Sequence, residues 1–570
     1  MHMPRTVGAV LTGAALVFLA ACNPDLNVPN PNTPDVARAV ANPNDVQNLA
    51  LSAINSWYVG STQRDPWVML NVTSDVMTMN YGNFGARFNN LRPRIPYANI
   101  ASNNDAEVAE VPWDNQYATL GEANKVLKAV SSGIQLTGGT AKYAAIAQWA
   151  QAGALMQLAL IFDKAFPVDE NFDASKGAPT FAPYDSMSNF ALGKINALIS
   201  ATNGQSWTYT SSEFPAQGGL TANMLNRLAN TMAAQLLAYT PRTAAEAAKV
   251  NWGQVLSYAQ KGIGTGSAGA PFDFVVVGDA NLWWSEFMGY FDLPSWMMVN
   301  LKLIHQMAPN VPDTYTGAPA GGSAGFDALY APQAPYDNRL GIDLTNVNSY
   351  TTGVDDNKDF QYARQVQGDP NRGIYMQSPY YHTRYIGVSW QANVSFFGPM
   401  PYTLAAENDL LQAEALIRTG GDRGLAAQLV NNTRVGRGGL TPLTATDNDA
   451  TFLQAITYER EVELLATNGF GAFAMRHMDQ LSQPGSCRQL PVPAAELETD
   501  NLPVYTCGGA TQDPTGMGDM MPPTGANAQL SLALSRYEQG PSRALPLPDG
   551  EMMTIPVPQP HRAPGHSIRQ

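Results

Sequence analysis

The sequence predicts a mainly α-helical fold of about four tetratricopeptide-like helical hairpins, with a large irregular, loop-rich region beside them. Three observations predict it. Over residues 402–477 apolar residues recur at helical spacing in three successive segments separated by glycines and capping residues. Over residues 43–261 alanine-rich segments hold the same period. Over residues 262–401 glycine and proline cluster and the period is lost.

The first 22 residues read as an address. Arg5 gives a basic start, residues 7–19 are apolar, and small residues follow, a run too short to span a bilayer and stay there. Leu19, Ala20, Ala21 and Cys22 resemble a bacterial lipoprotein box. That resemblance implies cleavage before Cys22 and acylation of it, and more than one acyl chain anchors a protein stably to a lipid bilayer. The plainer alternative is a signal peptide followed by a chance cysteine. Residues 23–42 are rich in Pro and Asn and read as a tether.

From Pro43 helices dominate. Asn44 and Asp45 can cap a helix that runs through Trp57. Residues 74–90 break the period with Asn, Gly and aromatic residues, as an exposed loop would. Trp113, Tyr117, Leu120, Ala123, Asn124 and Val126 then fall at helical spacing. Residues 143–167 form a long helix whose alanine-rich face permits close packing. Further helices are expected over 186–200, 221–239 and 252–261. Within 262–401, residues 272–277 read as a short strand or extended run, and residues 282–287 carry bulky aromatics. No later stretch is expected to reach the length of a transmembrane helix.

The last helical group opens with Leu404, Ala405, Ala406, Leu411, Ala415 and Ile417 on one packed face. Gly420 and Gly421 stop that helix and Asp422 can cap the next, 424–435, where Ala426 and Ala427 allow close approach. A third helix, 455–465, is expected to end at Asn468, Gly469 and Phe470. These segments, with Glu459, Arg460, Glu463, Leu464, Gly469, Phe473 and Arg476, resemble SusD/RagB-type outer-membrane nutrient-binding lipoproteins. The resemblance implies a single SusD-like domain over 43–570, with a helical scaffold (43–261 and 402–477) and a loop-rich ligand side (262–401 and 478–570). It implies a protein on the cell outer membrane, facing outward, that captures an oligosaccharide or peptide for a TonB-dependent SusC-type transporter. The chain departs from the pattern in two places. Only Asp25 follows the cysteine where surface-exported members carry several acidic residues, and Pro560 and His561 replace an acidic residue after the terminal Pro556 segment.

Composition agrees with a capture protein. Charged residues are 14% of 570 and hydrophobic residues 45%, so the core is large and the surface relies on Tyr, Trp, Asn and Gln. A net charge of −14 argues against a nucleic-acid partner. With Cys22 acylated, Cys487 and Cys507 remain as a pair in a Pro/Gly-rich loop. In an oxidising compartment they read as a disulfide contributing about 3 kcal/mol, ahead of free thiols or a metal site with no second ligand nearby.

Sequence motifs for chemistry are weak. Gly264, Gly266 and Gly269 match G-x-G-x-x-G, but a helix precedes them and Pro271 follows, so no dinucleotide site is expected. Gly321, Ser323 and Gly325 match a nucleophile elbow without a strand before it. Asp355, Asn357 and Asp359 have calcium-loop spacing, but Phe360 and Val366 replace the required Gly and Glu, which rules out an EF-hand and leaves an irregular calcium site as the alternative. The histidines are scattered, so no zinc site or cofactor is expected. Glu459 and Glu463 could serve as a hydrolase pair, but residues four apart on one helix do not flank a bond; pairing with arginines such as Arg460 or Arg476 fits better. Binding is expected in the aromatic loops: Tyr81, Phe84, Arg87 and Phe88 in one, Trp283, Trp284 and Tyr290 in the other, against the alternative that these rings are core. The expectation is a binding protein rather than an enzyme. The rivals are an α-helical glycoside hydrolase and a scaffold lipoprotein that binds no ligand.

Overall fold

Small residues set the spacing of the helices in this computed structural model. It describes residues 42–507, apart from 80–83, 91–93, 95–96, 280, 292–296, 345–357, 365, 367–372, 386–397, 469 and 482–485. All of these lie in one unit, Met1–Met520; a second, Met521–Gln570, falls outside them, as do Cys22 and the tether.

Helix α1 (Pro43–Ser61) begins at Asn42, whose side chain accepts the Asn44 N–H while Pro43 opens the first turn, so the cap lies two residues earlier than expected. The helices α2 (Trp67–Thr73), α3 (Ala86–Asn90), α4 (Glu107–Ser131), α5 (Thr140–Ile161), α6 (Tyr184–Thr202), α7 (Ala222–Tyr239), α8 (Ala244–Ala247) and α9 (Trp252–Ala259) follow. The long ones stack in sequence: α1 on α4 and α5, α4 on α5, α5 on α6, α6 on α7, α7 on α9. At Gly153 of α5 a Cβ would stand 2.2 Å from Nε1 of Trp57 on α1, so only glycine permits that approach. Contrary to expectation, α5 is long and apolar enough to cross a membrane, yet it is almost wholly buried and serves as the central core helix.

After α9 the chain leaves the stack. It makes the short helices α10 (Glu286–Phe291), α11 (Leu301–Met307) and α12 (Gly322–Tyr330) and several short strands. Met77–Met79 pairs antiparallel with Met297–Val299, and Phe274–Val277 with Pro399–Thr403. Phe360–Ala363 lies between Leu340–Leu344, parallel, and Tyr380–His382, antiparallel. The stack then resumes with α13 (Ala405–Arg418), which packs on α9, and with α14 (Arg423–Arg434) and α15 (Asp449–Glu463). Asp422 caps α14 through the Leu425 N–H.

The splice between α9 and α13 explains the glycine motif. Asn408 donates to the Ala259 carbonyl (3.0 Å) and to Ser267 Oγ (3.1 Å), and accepts from the Thr231 hydroxyl (2.8 Å). Asp409 accepts from the Thr265 hydroxyl (2.6 Å) and the Gly266 N–H (3.2 Å). A Cβ at Gly264 would lie 2.3 Å from Asp409 Oδ1. These glycines let a loop lie flat on a polar helix face.

Three expectations need correction. The described part of 74–90 is not an exposed loop: Met77, Thr78 and Met79 are buried in a strand, and the Thr78 hydroxyl is satisfied by Asn90 Oδ1 (3.0 Å) and the Tyr375 carbonyl (2.7 Å). Helix α15 stops at Glu463, and Ala466 takes the left-handed conformation (φ 60°) before the expected Asn468 cap. Glu459 and Glu463 are ion-paired, but to other arginines. Arg339 reaches Glu459 (2.8 Å) and Glu463 (3.2 Å), and Glu463 also meets Arg437 (2.5 Å) and Arg384 (3.1 Å). One residue on a helix is a turn of about 100°, so Arg460 faces elsewhere and meets Glu414 at 2.6 Å. Arg476 donates to the carbonyls of Leu160, Arg488 and Tyr239. Cys487 and Cys507 are bonded, with Cα atoms 5.7 Å apart.

Candidate functional site

A cavity of about 200 Å³ opens where the excursion meets the scaffold. The ribbon of Met77–Met79 and Met297–Val299 ends there, placing Asp75 and Asn300 side by side; the Asn300 N–H donates to the Val76 carbonyl at 3.0 Å. Asn300 caps α11 by accepting the Lys302 N–H (2.9 Å), which turns the Lys302 side chain toward Asp75. Thr78, Asp313, Thr314 and Gln377 add polar walls; Tyr315 and Tyr375 add rings; Leu301 is the lone aliphatic wall among the described residues.

Asp75 is the most constrained group. Its backbone is left-handed (φ 59°), a conformation that costs a non-glycine residue roughly 1–2 kcal/mol. Arg94, buried, donates to Asp75 Oδ1 at 2.5 Å, to Ser486 Oγ at 2.6 Å and to the Thr73 carbonyl. Lys302 Nζ lies 3.2 Å from Asp75 Oδ2. The cavity floor is thereby fastened to the segment beside Cys487. Glu461, outside the cavity lining, accepts from Gln306 of α11 (3.1 Å), and burial pushes its carboxyl up to about 7. Tyr315 stacks on Tyr330, ring centroids 5.4 Å apart, which holds the wall that carries Asp313 and Thr314.

The expected site residues divide. Phe84 and Tyr290 come together edge to face at 5.3 Å, with the Arg64 guanidinium 4.4 Å above Phe84. Arg64 also pairs with Glu286 (2.9 Å) and Glu107 (2.6 Å), and burial pushes the adjoining Asp65 carboxyl up to about 7. Trp284 is half-buried. Trp283 is a correction: it is 6% exposed and packed between Tyr58 (5.7 Å) and Phe214 (4.9 Å), with no face left for a ligand. Tyr81 and the side chains of Arg87 and Phe88 lie outside the described residues. None of the described ones (Phe84, Trp283, Trp284 and Tyr290) is among the residues lining the cavity. Sequence reading missed the cavity residues because they are single polar side chains from four separated segments. The one local signal was Asp75 and Thr78 within the aperiodic 74–90 stretch. Among the described residues no group of three or more His, Cys, Asp or Glu is placed to hold a metal ion.

No family model and no curated protein matches the sequence. Solved structures do match it. A SusD superfamily protein from Parabacteroides distasonis is 15% identical, with a TM-score of 0.53 over 80% of this chain and 98% of that one. One from Bacteroides fragilis is 13% identical, with a TM-score of 0.52 over 82% and 100%. B. fragilis NanU is 12% identical, with a TM-score of 0.52 over 84% and 99%. The helical stack, the long excursion and the return to α13 are thus an arrangement already seen in solved proteins, and the chain has the fold of the SusD superfamily.

Proposed function

We propose that this protein is a lipid-anchored capture protein of the cell outer membrane, acylated at Cys22, that binds an oligosaccharide or peptide and passes it to a TonB-dependent transporter of SusC type. The observation that carries the reading is the polar, tyrosine-flanked cavity at the junction of scaffold and excursion, in a fold shared with SusD superfamily proteins. A ligand with many hydroxyls or amides finds donors and acceptors on every wall, and rings beside them. The glycoside hydrolase reading needs two carboxylates free to act. Glu459 and Glu463 are locked in buried ion pairs, and Asp75, at the cavity, has one oxygen engaged by Arg94 and the other by Lys302, so Asp313 is the single unengaged carboxylate among the described lining residues. Purified protein incubated with glycan and peptide panels tests the proposal. Saturable binding without products supports capture; bond cleavage supports the hydrolase; binding of neither panel, with a membrane partner still co-purifying, supports a scaffold.

A further inference from the structure

We infer that the cavity selects a non-acidic saccharide, neutral or amine-bearing, and that Asp313 is the residue that sets this selection. The inference rests on the capture reading and names the ligand class for the same site. Among the described lining residues Lys302 is the one cation, and it is already committed to Asp75 at 3.2 Å. Arg94, a second described cation nearby, is buried behind Asp75 and engaged there. Among the described residues an acidic ligand therefore finds no uncommitted positive charge. It finds instead Asp313, an exposed carboxylate at the cavity wall that makes no hydrogen bond or ion pair with a described residue. Like charges brought together in a partly desolvated site repel.

A hydroxyl or ammonium group meets the opposite situation. It can donate to Asp313, and hydrogen bonds to a charged acceptor are the stronger kind. Thr314 and Tyr315, next in the chain, each bring a hydroxyl to the same wall, and neither hydroxyl bonds to a described residue. Three consecutive residues thus offer one charged acceptor and two groups that both donate and accept, which matches the alternating hydroxyls of a sugar ring. Leu301 is the lone aliphatic wall among the described residues, which gives the side chains of a peptide little apolar surface there.

The test is calorimetric titration of the purified wild type and Asp313→Asn with neutral hexose oligosaccharides, glucosamine oligomers, galacturonic-acid oligomers and a peptide panel. Asp313 has no partner to lose among the described residues, and circular dichroism checks that the variant folds. The wild type is expected to saturate with a neutral or amine-bearing saccharide at least tenfold more tightly than with the uronates. Asp313→Asn is expected to weaken that saccharide about tenfold and to narrow the gap to the uronates. Equal binding of uronate and neutral oligomers by the wild type, or an unchanged gap in the variant, overturns the inference and leaves capture standing. Saturation by peptides alone overturns it as well. No saturation by any panel overturns the capture reading and the inference together.

Discussion

Replacing Arg339→Met tests whether the carboxylates of α15 are structural. Arg339 is 1% exposed and donates to Asp337 (2.7 and 3.0 Å), Glu459 (2.8 and 3.2 Å) and Glu463 (3.2 Å). Without it Glu463 keeps Arg384 and Arg437. Asp337 keeps the Tyr458 hydroxyl (2.7 Å) and the backbone N–H of residue 339 (2.8 Å), but Glu459 loses its cation. Breaking a buried pair from one side costs about 3–5 kcal/mol, and we expect that loss at pH 8 in urea unfolding followed by circular dichroism. The pH dependence has a definite sign. Burial already raises the Glu459 carboxyl above the usual range with Arg339 present, and removing the arginine raises it further. A raised carboxyl binds its proton more tightly in the folded state, so the deficit is largest at high pH and shrinks as pH falls. A loss under about 1 kcal/mol at pH 8, or a loss independent of pH, would refute this account of the network.

Other predictions use the same reasoning. Gly153→Ala gains about 1 kcal/mol of helix propensity but forces a Cβ onto the Trp57 indole, which stands 2.2 Å away, so a net loss of about 1–3 kcal/mol is expected in thermal melts; a stabilised variant would contradict the close approach of α1 and α5. Glu461→Gln keeps the bond to Gln306 and cannot ionise. The wild type, whose carboxyl is raised from 4.5 to about 7, loses stability as pH climbs through that window, on the order of 3 kcal/mol, and the variant should not; parallel pH–stability curves for the two would sink the prediction. Cys22→Ala should leave the folded body intact and move the protein from the membrane pellet to the supernatant. Pelleting unchanged in detergent-free buffer would remove the lipid assignment.

The scaffold was legible because helices announce themselves locally. The alanine period around Trp149, the Asp422 cap and the Gly420–Gly421 stop each act within a turn or two of their own position. What was not legible depends on distant partners. Trp283 looks like any loop aromatic until Tyr58 and Phe214 close over it. Arg339, in a stretch without periodicity, gave no sign that it would neutralise two glutamates of a helix over 100 residues away. The glycines of 264–269 carried a nucleotide-like spacing, yet their reason lies on the Asn408 and Asp409 face of α13. The cavity was least legible of all, since Asp75, Lys302, Asp313 and Tyr375 are apart in sequence and meet only because the excursion folds back on the scaffold.

The most direct measurement is a crystal structure of the protein soaked with the saccharide that binds it most tightly. The account predicts an intact glycosidic bond and a sugar ring lodged between Lys302, Asp313 and Tyr375. A ligand seated elsewhere on the molecule, or a severed one in that cavity, would contradict it.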